Sequence, residues 1–286
     1  MLPNFIIIGA MKCGTTSLAY YLSQHPEIFV SSPDKIDFFS KDHEYSKGLA
    51  YYESFFENGG YAKAIGEGSD DYTKEFDQKS QKAVARIKEH LPGCKFIYVV
   101  KHPLKQIESS WLHRFTTGNE KKSFNEAISG SRFTYPETAN YKKQLQRYYD
   151  AFSPEQIKVF FTEDLAAHPR EVVRSSLEFL GVSQDTKELD LNPQNISSRK
   201  LLDKNFTRKM RSLPFIDYLA KNFPPAFKQR LEKIFTYQIK ERPVWEKETL
   251  DYVLENIWTD NQDFLEAHGK SRNFWDLSEY NRSVDC

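Results

Sequence analysis

Residues Asn4-Phe-Ile-Ile-Ile-Gly-Ala-Met-Lys-Cys-Gly-Thr-Thr-Ser-Leu18 leave this chain few ways to begin folding. Phe5 to Ile8 is an apolar, β-branched run too short to be a helix of its own, and it suits a parallel strand buried on both faces. Gly9 and Gly14 bracket a turn, Thr15, Thr16 and Ser17 suit a helix start, and Leu18, Tyr21 and Leu22 continue at helical spacing. A strand, a glycine turn and a helix in that order point backbone N–H groups at an oxyanion. The expectation is a phosphate-binding turn in an α/β protein.

The two glycines stand five apart, as in the ATP-binding signature G-x-x-x-x-G-K-[ST], yet the position of that signature's lysine is Thr15. The lysine sits earlier, at Lys12. In an NTPase the later lysine neutralises β- and γ-phosphate oxygens, and a Ser/Thr hydroxyl holds magnesium. A charge inside the loop instead faces the bridging oxygen of a shorter ligand, with one phosphate and one further anionic group. No metal is expected with such a ligand.

Gly9-Ala-Met-Lys-Cys-Gly-Thr-Thr-Ser-Leu18 resembles the 5'-phosphosulfate loop of the sulfotransferases, enzymes that use 3'-phosphoadenosine 5'-phosphosulfate (PAPS). The resemblance implies that Lys12 and the turn Cys13, Gly14, Thr15, Thr16 and Ser17 hold the phosphosulfate, with Lys12 stabilising the leaving phosphate. A second stretch, Lys101-His-Pro-Leu-Lys-Gln-Ile-Glu-Ser-Ser-Trp111, follows the apolar strand Lys95 to Val100. It is similar to the family's Arg, any residue, Pro, two residues, Arg, two residues, Ser, whose first arginine and serine hold the 3'-phosphate. Lys101 stands for that arginine, Pro103 and Ser109 fit, and Gln106 replaces the second arginine. Lysine keeps the charge but loses the bidentate fork.

The family's proton acceptor is expected in a segment reading Lys-Glu, two residues, Phe-Phe. Aligned on Phe38 and Phe39, this chain has Asp34-Lys35 there, and an ammonium accepts no proton unless its pKa is strongly lowered. Asp37 on the same segment is one substitute, expected to pair with Lys35 because both share a face of an extended strand. Glu67, in Ala62-Lys-Ala-Ile-Gly-Glu-Gly-Ser-Asp-Asp-Tyr72, is another, at a strand's carboxyl end where α/β sheets gather ligand chemistry. Lys35 itself and His43 follow, the latter in a charged, surface-like stretch. Asn192 to Lys200 reads as a polar, basic loop over the nucleotide, with Ser198, Arg199 and Lys200 as contacts. Arg199, Lys200, Lys204, Arg208, Lys209 and Arg211 form a dense basic cluster.

The rest of the chain sets limits. At 286 residues one domain spanning 1–286 is expected, a mostly parallel central sheet flanked by helices. Forty basic and forty acidic residues cancel, so no global field recruits nucleic acid or an anionic membrane, and any anion site is local. No apolar run approaches the roughly 20 residues of a membrane span, and the N-terminal apolar run leads into the phosphate loop rather than reading as a signal peptide. Cys13, Cys94 and Cys286 lack metal or disulfide spacing, which fits a reducing, cytoplasmic setting. Residues 115 to 135 are polar and irregular and read as a surface excursion near the acceptor. Glu163-Asp-Leu and Phe179-Leu-Gly-Val182 read as scaffold.

The reading is a PAPS-dependent sulfotransferase acting on an acceptor hydroxyl, with carbohydrate, lipid and small metabolite all open. A P-loop kinase is the enzyme alternative, weakened by the missing lysine after Gly14. A non-catalytic nucleotide-binding module is the other, kept open by Lys35 at the usual glutamate position. The sequence leaves the oligomeric state open.

Overall fold

Side chains alternate across the first strand, β1 (Phe5–Gly9), and both faces are buried: Ile6 and Ile8 enter one hydrophobic cluster, Phe5 and Ile7 another. A strand with no wet face belongs in the middle of a parallel sheet. In the computed structural model, which describes residues 1–32, 35–74, 79–130, 134–192, 201–203, 236–238 and 243–280, β1 is that middle strand. The sheet order is β2-β3-β1-β4-β5, with β2 Ile28–Val30, β3 Ala64–Gly68, β4 Lys95–Val100 and β5 Ile157–Phe161, every neighbouring pair parallel. The expected mostly parallel sheet is therefore wholly parallel in its five strands. A short antiparallel ribbon pairs Leu201–Asp203 with Thr236–Gln238.

The helices, in chain order, are α1 Thr15–Ser23, α2 Asp42–Tyr45, α3 Leu49–Ser54, α4 Lys79–His90, α5 Pro103–Thr117, α6 Phe124–Gly130, α7 Tyr141–Ala151, α8 Thr162–Ala167, α9 Pro169–Leu180 and α10 Lys247–Ala267. Leu18 and Leu22 of α1 and Val173 and Leu177 of α9 cover the Phe5/Ile7 face. Ile87 of α4, Leu145 and Tyr148 of α7 and Phe264 of α10 cover the Ile6/Ile8 face, joined by the rings of Phe38, Phe39, Tyr52 and Tyr72. No described helix is long and apolar enough to cross a membrane.

Residues 115 to 135 depart from the expected surface excursion. There α5 runs on to Thr117, and α6 buries Phe124, Ala127 and Ile128 against Leu250, Val253 and Ile257 of α10. The apolar stripe of α6 is only three residues long, so it is submerged in a polar background until α10 supplies the surface that covers it.

Candidate active site

The loop after β1 is tight because its surroundings press on it. A Cβ on Gly9 would lie 2.4 Å from Thr73 Oγ1, and that hydroxyl donates to the Ile8 carbonyl at 3.1 Å, so glycine is required by close approach. Lys12 holds φ 64 and Gly14 φ 91, both left-handed. For an L side chain such as Lys12 that costs on the order of 1 kcal/mol and persists only where neighbours over-determine it. They do: Gln106 Nε2 donates to the Met11 carbonyl at 3.0 Å, and the Thr162 hydroxyl lies 2.6 Å from the Cys13 carbonyl and 2.9 Å from that of Val100. Gln106 thus braces the loop from the position where relatives are expected to carry a second arginine. Thr162, the first residue of α8, braces it from β5's end and also lines the cleft below.

α1 begins at Gly14 with no side-chain cap and no acid in its first turn. Its first intrahelical bond runs from Leu18 N–H to the Gly14 carbonyl at 3.1 Å, so the amides of Gly14, Thr15 and Thr16 precede the helix ladder and face an anion with the positive end of the helix dipole. Cys13 takes no part by its side chain. It is fully buried, 3.7 Å from the Tyr141 hydroxyl, and its amide donates to Ala10. Burial pushes its thiol up to about 11 despite the nearby Lys101 charge, so it stays protonated.

A cleft of about 480 Å³ opens at the carboxyl ends of the strands, lined by Lys12, Gly14, Thr15, Thr16 and Ser17 of the loop and by Lys35, Asp70, Lys74 and Lys101 around it. Lys101 is partly buried at the end of β4, its carbonyl accepting the Tyr141 hydroxyl at 2.7 Å, and burial pulls its ammonium below lysine's usual pKa. Ser109, two turns along α5, is buried outside the lining, and its hydroxyl has no hydrogen-bond partner among the described residues. His113, one turn beyond, does line the cleft. Sequence reading missed it, although i, i+4 spacing from Ser109 puts it on the same helix face.

The carboxylates are arranged differently from expectation. Glu67 is fully enclosed and accepts hydrogen bonds from Tyr52 at 2.6 Å, Tyr72 at 2.9 Å and Ser69 at 2.8 Å. Burial raises its pKa, with the three hydroxyls pulling the other way. Those partners in turn hold the next segment: the Ser69 hydroxyl accepts from Asp37 N–H at 3.1 Å, and the Tyr72 hydroxyl accepts from Phe39 N–H at 3.3 Å. Glu67 therefore faces the aromatic core and anchors residues 37–39, rather than lining the cleft.

Asp37 does not line the cleft either, and the expected Lys35–Asp37 pair does not form. Asp37 takes a left-handed φ of 54, which breaks the extended strand that would have put both side chains on one face. Asp37 pairs with Lys41 at 2.7 Å and Lys35 with Asp70 at 2.7 Å. Burial, helped by Asp71, raises the Asp37 pKa more than Lys41 lowers it. Asp70, which sequence reading passed over, is 4 % exposed and lies between Lys35 and Lys74, the latter at 3.6 Å. His43 is exposed on α2, its ring 3.2 Å from the Glu44 carboxylate. Asp34, Ser198, Arg199, Lys200 and the basic cluster to Arg211 lie outside the described residues.

Comparison with known proteins agrees with this geometry. A sequence profile described as "Sulfotransferase domain" matches residues 2–241. A solved sulfotransferase from Alicyclobacillus acidocaldarius is 28% identical, superposes with a TM-score of 0.59, and the match covers 68% of this chain and 87% of that one. The mouse bifunctional heparan sulfate N-deacetylase/N-sulfotransferase 4 is 24% identical over 284 residues, 88% of this chain and 32% of its own length. The membrane-associated sulfotransferase kil1 of Dictyostelium discoideum is 33% identical over 138 residues, 44% of this chain and 27% of its own. The chain spans about a third or less of the curated relatives it matches. With the profile covering most of its length, this chain belongs to the sulfotransferase family.

Proposed function

We propose that the chain, taken as one domain over 1–286, transfers the sulfuryl group of PAPS to an acceptor hydroxyl, in a reducing compartment that suits its buried free thiols Cys13 and Cys94. One observation carries the reading. Apart from Lys35 and Lys74, which pair with Asp70, the cleft has two cationic anchors, Lys12 in the loop at the open start of α1 and Lys101 at the end of β4, with the Ser109 hydroxyl buried outside the lining along α5. A ligand with anionic groups at both ends meets both anchors, whereas the lysine that a nucleoside triphosphate needs after Gly14 is absent.

When bound, PAPS supplies an activated sulfuryl group on a phosphate leaving group. The amides of Gly14, Thr15 and Thr16 and the Lys12 ammonium neutralise the 5' end, and Lys12 meets charge that grows on the departing phosphate oxygen. Lys101, kept in place by its backbone bond to Tyr141, and the Ser109 hydroxyl take the 3'-phosphate. Sulfuryl transfer resembles phosphoryl transfer in resting on in-line positioning and charge stabilisation, and a braced, strained loop serves positioning. Saccharide hydroxyls and amines are the first acceptors to test, because several relatives are heparan sulfate N-deacetylase/N-sulfotransferases. Calorimetry with 3'-phosphoadenosine 5'-phosphate (PAP) against AMP, followed by transfer of ³⁵S from PAPS across an acceptor panel that includes water, tests the proposal. Tight PAP binding with label transfer is expected; ATP–magnesium binding in preference to PAP would overturn it.

A further inference from the structure

Relatives are expected to place a carboxylate where this chain has Lys35, and neither Asp37 nor Glu67 reaches the cleft. Among the described residues, Asp70 is the only carboxylate that lines it. The Lys35 ammonium lies 2.7 Å from Asp70 Oδ1. The segment after β2 contributes the cation of this pair and the turn after β3 contributes the anion. Asp70 is held there from both directions, since it lies in the turn Asp70–Thr73 that packs Thr73 against β1, and since Lys74 approaches it at 3.6 Å.

Building on the sulfuryl-transfer reading, we propose that Asp70 is the group that receives the acceptor's proton. The acceptor oxygen bonds to sulfur as the bond from sulfur to the nucleotide's phosphate oxygen breaks. The electron pair of the broken bond stays on that phosphate oxygen beside Lys12, and the acceptor's proton passes to the Asp70 carboxylate. Burial alone would raise the Asp70 pKa, but Lys74, Lys35 and Lys12 outweigh it and keep the carboxylate ionised. Asp70 and Lys12 line the same cleft, so the carboxylate and the loop open onto one space. A weak but permanently ionised base suits a loose transition state, in which the nucleophile's bond is little formed and its proton leaves late. Lys35 then has a second role, as the cation that orients this carboxylate rather than as a base.

The test uses the full chain, PAPS as donor, and the fastest acceptor of the panel, with water as acceptor if none is faster. Asp70→Asn is expected to lower kcat about 10²- to 10⁴-fold, the usual range for a positioned base, while PAP affinity changes less than about threefold. Adding Lys35→Glu to Asp70→Asn puts a carboxylate back beside the same space from the family's usual position, and is expected to recover at least about tenfold of the lost rate. That gain separates a missing proton acceptor from a damaged fold. Retained turnover in Asp70→Asn overturns the proposal, as does loss of PAP affinity in step with turnover, or no recovery in the double variant. A wild-type chain that binds PAP and releases no sulfuryl group would instead sink the functional reading itself, and the proposal with it.

Discussion

The two walls of the cleft are built on different principles. The wall proposed to hold the donor is one continuous stretch, residues 9 to 17, which offers mostly backbone amides and is held by neutral braces from Gln106, Thr162 and Thr73. The opposite wall joins two segments far apart in sequence through ion pairs, Lys35 with Asp70 and Lys74 with Asp70 and Asp71. Backbone amides cannot be substituted away, so a site made of them keeps its binding groups through side-chain changes that leave the loop's conformation intact. Charge pairs are different. Either partner can carry either sign, so such a wall depends on which two side chains meet, here Lys35 and Asp70.

If that contrast is right, the donor wall depends on one charge that no backbone group replaces. Lys12→Ala should lower turnover about 10²- to 10³-fold, the usual cost of one transition-state electrostatic contact, and weaken PAP binding much less. Single-turnover rates set against calorimetry separate the two, and unchanged turnover would remove Lys12 from the chemistry. At the other anchor, Lys101→Ala and Ser109→Ala should each cost about 1.5–3 kcal/mol of PAP binding, the worth of a hydrogen bond involving a charged group, and leave AMP binding nearly unchanged. Equal losses for the two nucleotides would show that these residues do not read the 3'-phosphate. Lys101→Arg, which restores the fork, should bind PAP at least as well as the native chain.

Smaller effects probe how each wall is supported. Glu67→Gln should destabilise the fold by about 1–3 kcal/mol, because a buried hydroxyl is left facing an amide where it had a carboxylate. Because burial raises the Glu67 pKa in the folded chain above its ordinary 4.5, its contribution is fully favourable below that value and is lost as pH rises through the folded pKa. Urea midpoints taken upward from pH 4.5 should therefore fall more steeply in the native chain than in Glu67→Gln, and parallel curves would contradict the assignment. Thr162→Val removes one brace and should cost about 0.5–1.5 kcal/mol in a thermal melt, with PAP affinity falling modestly because the loop amides are less well held. A melt unchanged within error would mean the Thr162 hydroxyl does not hold the loop.

Strands, helices and the phosphate loop could be read along the chain because each depends on neighbours a few residues away. The run Phe5 to Ile8, the glycines at 9 and 14, the Pro103 helix start and Gly181 closing α9 are local signals. The short α6 was hidden because its three apolar residues mean little until α10 lies against them. That Lys12 and Lys101 share one cleft was readable because each follows a strand, and parallel sheets bring their strand ends to one side.

What only the tertiary structure decided is which charges meet. Lys35 and Asp37 are two residues apart, and local geometry predicted their pairing; a left-handed Asp37 turned them apart, and each found a partner that burial made available. Glu67 near the end of β3 and Asp70 in the turn that follows are three residues apart, yet one is sealed among tyrosines and the other opens to the cleft. Sequence sets the type and spacing of such groups. Solvent exposure and the approach of distant side chains, which fix protonation and partner choice, come only with the packed fold.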